Sequence, residues 1–224
     1  TSNSWYARDL IQMGFPTRVT PIFSNLPVID PKRSTHEDGD KLFRGVFFGS
    51  FQPEWDFEPV AQVLQKTNAL GYDVELISVG GKGPGREKWK EFVAKYDSEF
   101  RFIDLGRQDA EVISHTIASA NVGLTTNAEA FLTKSGTVAT FIEHGIPVLF
   151  SRADHRDPET DAYKFFGDQI LSIEAWDRAG GLPSALPQLV SPHSLSIHTL
   201  NQWKDAMPTL FSPQKGMLTN STHL

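Results

Sequence analysis

The residues best suited to chemistry lie in one short stretch, residues 125–137, which joins an apolar strand-like segment to a helical pattern. The stretch ends in Lys134, Ser135, Gly136 and Thr137, where the predicted helix begins. A helix N-terminus offers unpaired N–H groups and about half a positive charge to an anion. The lysine adds a full charge, the hydroxyls add donors, and the glycine leaves room for close approach. The stretch therefore predicts a diphosphate site, with Ser135 as an ordinary N-cap as the alternative.

Two shorter loops that follow strand-like segments could contact the same ligand. The first is the turn Gly49-Ser50, where backbone N–H groups can approach a phosphate, although a plain tight turn would have the same sequence. In the second loop, Arg107 and Gln108 precede Asp109, which can cap the helix that follows. Arg107 and Gln108 therefore either touch a base or a phosphate or remain exposed.

A glycine-rich loop over residues 80–85 lies between a predicted strand and a predicted helix. Its sequence, GGKGPG, is neither a Walker A loop nor the G-x-G-x-x-G turn of dinucleotide-binding proteins, and Pro84 removes one backbone donor. Its glycines, Gly81 among them, still allow a ligand to approach the backbone closely. Lys82 is either a cation placed for an anionic ligand or a solvated loop lysine.

Other kinds of chemistry have little support in the composition. The chain of 224 residues contains no cysteine, which excludes disulfides, thiolate metal ligands and a cysteine nucleophile and fits a cytoplasmic protein. Its net charge is −6 and its basic residues are scattered, so we expect no nucleic-acid partner. His115, His144 and His155 lack the spacing of metal ligands, and no G-x-S-x-G motif occurs. We therefore expect no metal site, and the catalytic residues stay unknown.

The elements that must position these loops alternate regularly. Near-continuous apolar strands are followed by helical patterns, which predicts right-handed βαβ units and a parallel sheet covered on both faces. The predicted strands cover residues 44–49, 73–81, 100–106, 121–126, 145–150 and 169–173. The predicted helices cover residues 58–70, 86–96, 110–120 and 136–144, with a further helical region after the last strand. The fold class is therefore α/β with a doubly wound, Rossmann-like parallel sheet.

The residues before the first strand have a different character. Residues 4–13 show a helical pattern, residues 17–28 are strand-like but interrupted by Pro21, and residues 30–40 are typical of a polar surface loop. No apolar run reaches the roughly 20 residues of a membrane-spanning helix, and the first residues do not resemble a signal peptide. We divide the chain into a connector over residues 1–40, a Rossmann-like domain over residues 41–210 and a tail over residues 211–224.

Several of these segments, taken in order, resemble the C-terminal, nucleotide-sugar-binding domain of GT-B glycosyltransferases and are similar to those of family 4. The segments are FFGSFQPEW, LISVGGKGPG, IDLGRQDAEVISHTIASANVGL and KSGTVATFIEHGIPVLF, within residues 44–150. The resemblance implies that the loops above bind a UDP- or GDP-sugar, with no other cofactor, in a hexosyltransferase. It also implies that residues 1–40 connect to a missing N-terminal domain, which binds the acceptor and carries the usual catalytic base. We therefore expect this domain to be inactive alone.

The sequence departs from the family pattern at two positions. Many relatives have two Glu residues separated by seven others across the loop and helix, and the later Glu holds the ribose. Counting back from Gly145, these places fall at Leu132 and Thr140, so neither carboxylate is present. Glu129 or Glu143 could substitute only by a shift in spacing. A non-catalytic nucleotide- or anion-binding module and a nucleotide-sugar epimerase therefore remain as alternative functions.

Overall fold

A six-stranded parallel sheet forms the centre of the molecule. The computed structural model describes residues 1–2, 4–24, 26–29, 41–152 and 162–178. The strands are β1 (Leu42–Phe48), β2 (Asp73–Val79), β3 (Arg101–Gly106), β4 (Val122–Ala128), β5 (Val148–Arg152) and β6 (Ile170–Ser172). Their order across the sheet is β3-β2-β1-β4-β5-β6. This is the order of a doubly wound, Rossmann-like sheet, and it confirms the fold class predicted from the sequence.

Helices follow the strands and cover both faces of the sheet. They are α1 (Ser4–Gln12), α2 (Glu58–Ala69), α3 (Arg86–Tyr96), α4 (Ala110–Ala118), α5 (Gly136–Glu143), α6 (Ala162–Phe166) and α7 (Ile173–Arg178), with short 3-10 helices at Gly83–Gly85, Glu129–Lys134 and Gly167–Gln169. In α3, Trp89, Phe92 and Tyr96 recur at helical spacing and are all buried. The carboxylate of Asp109 caps α4 by accepting the N–H of Val112 at 2.9 Å, as the sequence predicts.

The alternation of side chains along the strands divides the apolar core into two parts. In β1, Phe43 and Phe47 belong to one part, and Val46 belongs to the other. The first part packs against α2 and α3 and is rich in aromatic rings; the ring centroid of Phe47 lies 5.3 Å from Trp55 and 5.6 Å from Trp89. The second part packs against α4 and α5. Burial on both faces explains why the strands are nearly continuous in apolar residues.

One glycine allows α5 to lie very close to the sheet. Gly123 belongs to β4, and a Cβ atom added to it would lie 2.5 Å from the ring of Phe141 on α5. The Phe141 side chain is fully buried, so the ring has no free space into which it could move. This contact fixes the position of α5 on the sheet and therefore the place of its N-terminus.

The described residues of the strand-like segment 17–28 form neither a helix nor a strand. Their backbone donors bond to groups outside the sheet instead of to a neighbouring strand. The N–H of Ile22 donates to the carbonyl oxygen of Thr133 at 3.0 Å, and the N–H of Ser24 donates to the carboxylate of Glu143 at 2.7 Å. The described part of residues 17–29 therefore lies across the 3-10 helix Glu129–Lys134 and α5, and we call it the strap.

Some of the predicted organisation lies outside the described residues. This applies to the loop over residues 30–40, to the end of the domain beyond residue 178 and to the tail over residues 211–224. Among the residues that the structure describes, no helix has both the length and the apolar character needed to cross a membrane.

Candidate functional site

A crevice opens at the carboxyl ends of β1 and β4, where the order of the sheet reverses. From β1 the chain continues to β2 on one side, and from β4 it continues to β5 on the other, so that the two loops diverge. Ligands of open α/β sheets bind in such a crevice. Its borders here are the turn Gly49-Ser50 after β1 and, after β4, the 3-10 helix Glu129–Lys134 together with the start of α5.

The N-terminus of α5 presents two unpaired amides toward this crevice. The hydroxyl of Ser135 accepts the N–H of Val138 at 3.3 Å and the side-chain amide of Asn127 at 2.8 Å, so Ser135 is the N-cap. Within the described part of the chain, the N–H groups of Gly136 and Thr137 have no acceptor. A Cβ atom on Gly136 would meet nothing within 4 Å. The first turn of α5 can therefore accept an anion through backbone donors.

The turn after β1 packs directly against this helix terminus. The hydroxyl of Thr137 donates to the carbonyl oxygen of Phe48 at 3.2 Å, and a Cβ atom on Gly49 would lie 3.2 Å from the Thr137 hydroxyl. Gly49 has a φ of 87°, which favours glycine, and its N–H donates to the carbonyl oxygen of Val79 at 2.9 Å. The Gly49 amide is therefore occupied, whereas the Ser50 N–H has no acceptor in the part of the chain that the structure describes.

Lys134 lies at the edge of the crevice, above a small cavity of about 410 Å³. Its ammonium group is exposed and lies 5.0 Å from the ring centroid of Tyr6 and 5.1 Å from that of Phe131. The hydroxyl of Tyr6 is 3.5 Å from the ammonium nitrogen. Gln52, Asn127 and Ser135 also line this cavity, and the side-chain amide of Gln52 donates to that of Asn127 at 3.3 Å. The aromatic rings hold the cation beside the crevice by cation–π contacts.

A larger cavity of about 750 Å³ lies beside the crevice, between the turns that follow β1, β2 and β3. Lys82, Asp104 and Arg107 line it, and Trp89 forms part of its wall. Lys82 is 7% exposed and forms an ion pair with Asp104, so of its two predicted alternatives the solvated loop lysine is wrong. Its ammonium also lies 5.9 Å from the centre of the Trp89 ring. Lys82 is therefore part of the cavity wall, with one partner already in place.

The turns that border the larger cavity are packed on one another through glycines. Gly80, with a φ of 104°, would place a Cβ atom 3.1 Å from the backbone nitrogen of Gly49. Gly81 lies against the guanidinium of Arg107, which a Cβ atom would approach to 3.4 Å. The Gln108 amide donates to the carbonyl oxygen of Leu105 at 2.6 Å on an exposed loop. Of the two residues predicted to contact a ligand in the loop after β3, Arg107 thus faces the cavity. The side chain of Gln108 instead bonds within its own turn.

The two glutamates that could replace the missing carboxylates are both buried. Glu143 is 7% exposed, and its carboxylate accepts the strap N–H of Ser24. Glu129, at the start of the 3-10 helix, is 8% exposed. At the expected ribose position, the hydroxyl of Thr140 is fully buried and donates to the carbonyl oxygen of Gly136 at 2.7 Å. Glu143 therefore acts in the attachment of the strap, away from the crevice.

A buried histidine extends this attachment. His144 is 4% exposed, and its Nδ1 lies 2.8 Å from the carbonyl oxygen of Thr140, which can only accept a hydrogen bond. Nε2 is therefore the acceptor for the hydroxyl of Ser114, 2.8 Å away, and Ser114 in turn accepts the N–H of Ile29 at 2.9 Å. Burial lowers the pKa of His144 below its ordinary value, against the smaller effect of its hydrogen bond to Thr140. The imidazole is thus a neutral link between α4, α5 and the strap.

Neither a protein-family model nor a curated protein matches this sequence. Solved structures do match its fold. HepE from Anabaena, in complex with UDP and glucose, is 15% identical with a TM-score of 0.54, over 95% of this chain and 62% of its own. Sucrose-phosphate synthase from Thermosynechococcus elongatus is 16% identical, with a TM-score of 0.48 over 92% of this chain and 56% of its own. A UDP-N-acetylglucosamine 2-epimerase is 10% identical, with a TM-score of 0.46 over 99% of this chain and 60% of its own.

These matches bear on the fold alone. The matching structures include glycosyltransferases of the GT-B fold, which confirms the resemblance seen in the sequence at the level of architecture. The chain spans less than two thirds of the length of each of the three structures.

Three residues that the sequence did not single out belong to the two cavities. Gln52 follows the Gly-Ser turn by two positions, and Asn127 lies at the end of β4, where a polar residue breaks an apolar strand. Asp104 is an exposed acidic residue inside β3. A polar side chain near the carboxyl end of a strand is the signal that would have identified Asn127 and Asp104.

Proposed function

We propose that this domain binds the diphosphate of a nucleotide-sugar and forms the donor half of a GT-B glycosyltransferase. The observation that carries the proposal is the pair of unpaired amides, Gly136 and Thr137, at the switch point of the sheet. They lie at the positive end of a helix and near the turn Gly49-Ser50, where the Ser50 N–H has no acceptor among the described residues. Lys134 supplies a mobile cation at the same edge, in a protein whose net charge is −6.

These groups suit a leaving diphosphate as well as a bound one. When a glycosidic donor bond breaks, negative charge grows on the diphosphate oxygens, and fixed amides stabilise that charge without rearranging. The side chain of Lys134 can follow the ligand, since its ammonium is exposed and, among the described residues, its contacts are the rings of Tyr6 and Phe131 and a long hydrogen bond to the Tyr6 hydroxyl. The amides, the helix terminus and this lysine would therefore stabilise the departing group, without a metal ion.

We also propose which donor the enzyme uses and what its second domain supplies. A UDP- or GDP-sugar would be the donor, and an N-terminal domain would bind the acceptor and supply the catalytic base. Support comes from the length of the chain, which spans 62% of HepE, a structure determined with UDP and glucose. We also propose the cytoplasm as the location, from the absence of cysteine.

A second candidate is a nucleotide-binding module without catalytic activity. One observation favours it. The GT-B pattern that the sequence resembles has carboxylates at two positions where this chain has Leu132, a buried apolar side chain, and Thr140, a buried hydroxyl bonded to Gly136. Such a module would bind a nucleoside diphosphate through the same amides and would not need a partner domain.

Titration calorimetry with UDP, GDP and ADP tests the binding site shared by both candidates. We expect one of these nucleotides to bind at one site per chain, and inorganic sulfate to bind far more weakly, because only the nucleotide also fills the larger cavity. If none of the nucleotides binds at millimolar concentration, the proposed function is wrong. Adding the N-terminal half of a complete open reading frame separates the two candidates, because only a glycosyltransferase then consumes a nucleotide-sugar.

A further inference from the structure

One carboxylate oxygen of Asp104 is bonded to the protein, and the other has no donor among the described residues. Its Oδ1 forms the ion pair with the ammonium of Lys82 and accepts the N–H of Gly106 at 3.1 Å. Within the described part of the chain, no donor reaches Oδ2. The side chain is 52% exposed and lines the larger cavity, so the free oxygen is accessible to a ligand.

The geometry points to Asp104 as the residue that binds a ribose hydroxyl of the nucleotide. This inference rests on the proposed function, because it assigns a place to the nucleoside of the same ligand. Related enzymes use a carboxylate at the position of Thr140 for the ribose, but here that position carries a hydroxyl that donates to Gly136 and contacts the strap hydroxyl of Ser24 at 2.8 Å. The cavity thus contains a carboxylate at a different place, on β3 instead of α5.

The charge of Asp104 determines which group of the ligand it can bind. A phosphate would be repelled by the carboxylate, whereas a hydroxyl donates to it in a strong charge-assisted hydrogen bond. Doubly wound proteins commonly bind a ribose hydroxyl with an acidic side chain near a strand end. Because Oδ1 is already occupied, a single acceptor remains, which suits one hydroxyl better than the paired donors of a guanine edge.

The position of the cavity is also appropriate for a nucleoside. Ser50 lines it, and the backbone of the same residue borders the crevice with the amides of α5. A diphosphate at the crevice would therefore continue into this cavity with its ribose and base. The volume of about 750 Å³ is large enough for a nucleoside. Lys82, buried against Trp89, holds the carboxylate in one orientation before the ligand arrives.

The first test uses the unmodified protein and ligand pairs that differ only in a ribose hydroxyl. Calorimetry with the tightest-binding nucleoside diphosphate is compared with its 2′-deoxy and 3′-deoxy forms. Loss of a hydrogen bond to a charged group typically weakens binding by about tenfold or more, so at least one deoxy form should bind about tenfold more weakly. Equal binding of all three forms would overturn the role of Asp104 while leaving the proposed function intact. If no nucleotide binds, the proposed function fails and this inference fails with it.

The second test uses Asp104→Asn. The asparagine carbonyl can still accept from Lys82 and Gly106, but its amide places a donor where Oδ2 was an acceptor. The hydroxyl can still accept from this amide, but the bond then joins two neutral groups. The variant's preference for the ribose form should therefore be clearly smaller than the parent's, while its binding of the deoxy form should match the parent's. Asp97→Asn, at the far end of α3, is a matched control that should keep the parent's preference. A full preference for ribose in Asp104→Asn, with the same melting temperature as the parent, would contradict the inference.

Discussion

At the residue scale, two lysines with similar sequence surroundings have different roles. Both follow strands in loops that also contain glycine, yet Lys82 is buried in an ion pair and Lys134 is exposed between two aromatic rings. Because Lys82 supports the cavity wall, its removal would leave Asp104 without its partner and cannot serve as a neutral control. Lys134 is the lysine whose removal tests the crevice.

Lys134→Ala should weaken the binding of a nucleoside diphosphate without changing the fold. A lost charge-assisted contact typically costs about 1.5–3 kcal/mol, which is about ten- to a hundredfold in affinity. Since the ammonium is exposed and solvent screens it, we expect the lower end of this range. Calorimetry measures the change, and Lys66→Ala, at an exposed ion pair on α2, is the control. Binding equal to that of the parent would show that the ammonium does not contact the ligand.

Gly136→Val should impair binding while leaving stability nearly unchanged. A Cβ atom at this position meets nothing in the protein, but it would occupy space that a phosphate needs beside the Gly136 and Thr137 amides. The buried Gly123→Val provides the contrast, because its side chain would overlap Phe141, and overpacking typically costs roughly 1–3 kcal/mol. Gly136→Val should therefore bind the nucleotide more weakly at an unchanged melting temperature, whereas Gly123→Val should melt at a lower temperature than the parent. Unchanged nucleotide affinity in Gly136→Val would mean that the anion lies elsewhere.

At the element scale, the strap is attached to α4 and α5 by side chains that depend on protonation. The hydrogen bonds of His144 to Thr140 and Ser114 require one ring N–H and one ring acceptor, so they fit only the neutral imidazole. Protonation would place two donors in the ring and remove the acceptor for Ser114. The attachment of the strap residue Ile29, through Ser114, therefore depends on pH.

Acid should destabilise the protein through His144. The folded chain lowers the pKa of this imidazole, so below the ordinary value of about 6.5 the unfolded chain binds more protons than the folded one. The free energy of unfolding therefore falls as the pH drops from 6.5 through the lowered pKa. His144→Gln removes this titration, and its melting temperature should fall less than the parent's between pH 7 and pH 5. If the melting temperatures of the two proteins fall equally between pH 7 and pH 5, His144 is not the group through which acid destabilises the protein.

At the scale of the whole molecule, the sequence predicted the architecture better than the site. The parallel sheet could be predicted because its strands are nearly continuous in apolar residues, which is typical of a parallel sheet covered by helices on both faces. The course of the strap could not be predicted, since Ile22 and its neighbours are strand-like in composition. Tertiary contacts to Thr133 and Glu143 determine where their backbone N–H groups bond. The partner of Lys82 could not be predicted, because Asp104 becomes its neighbour only when β2 and β3 pair.

The isolated chain should bind a nucleotide-sugar but transfer no sugar. The loops proposed to bind the donor border the crevice, whereas the proposed acceptor site belongs to an N-terminal domain; this chain spans 62% of the length of HepE. Product analysis after incubation with UDP- and GDP-sugars, with and without simple sugar acceptors, should detect no glycoside. A glycoside formed with steady turnover would show that the chain carries a complete active site.

The close contact between Gly123 and Phe141 also has an evolutionary consequence. Because a Cβ atom at position 123 would overlap the ring, a relative with a larger residue there can keep α5 on the sheet only with a smaller side chain at position 141. The two positions should therefore covary among relatives, and the sum of their side-chain volumes should vary less than either volume alone. Such covariation would reveal selection on where the helix N-terminus lies, even in relatives whose ligand-binding loops have diverged.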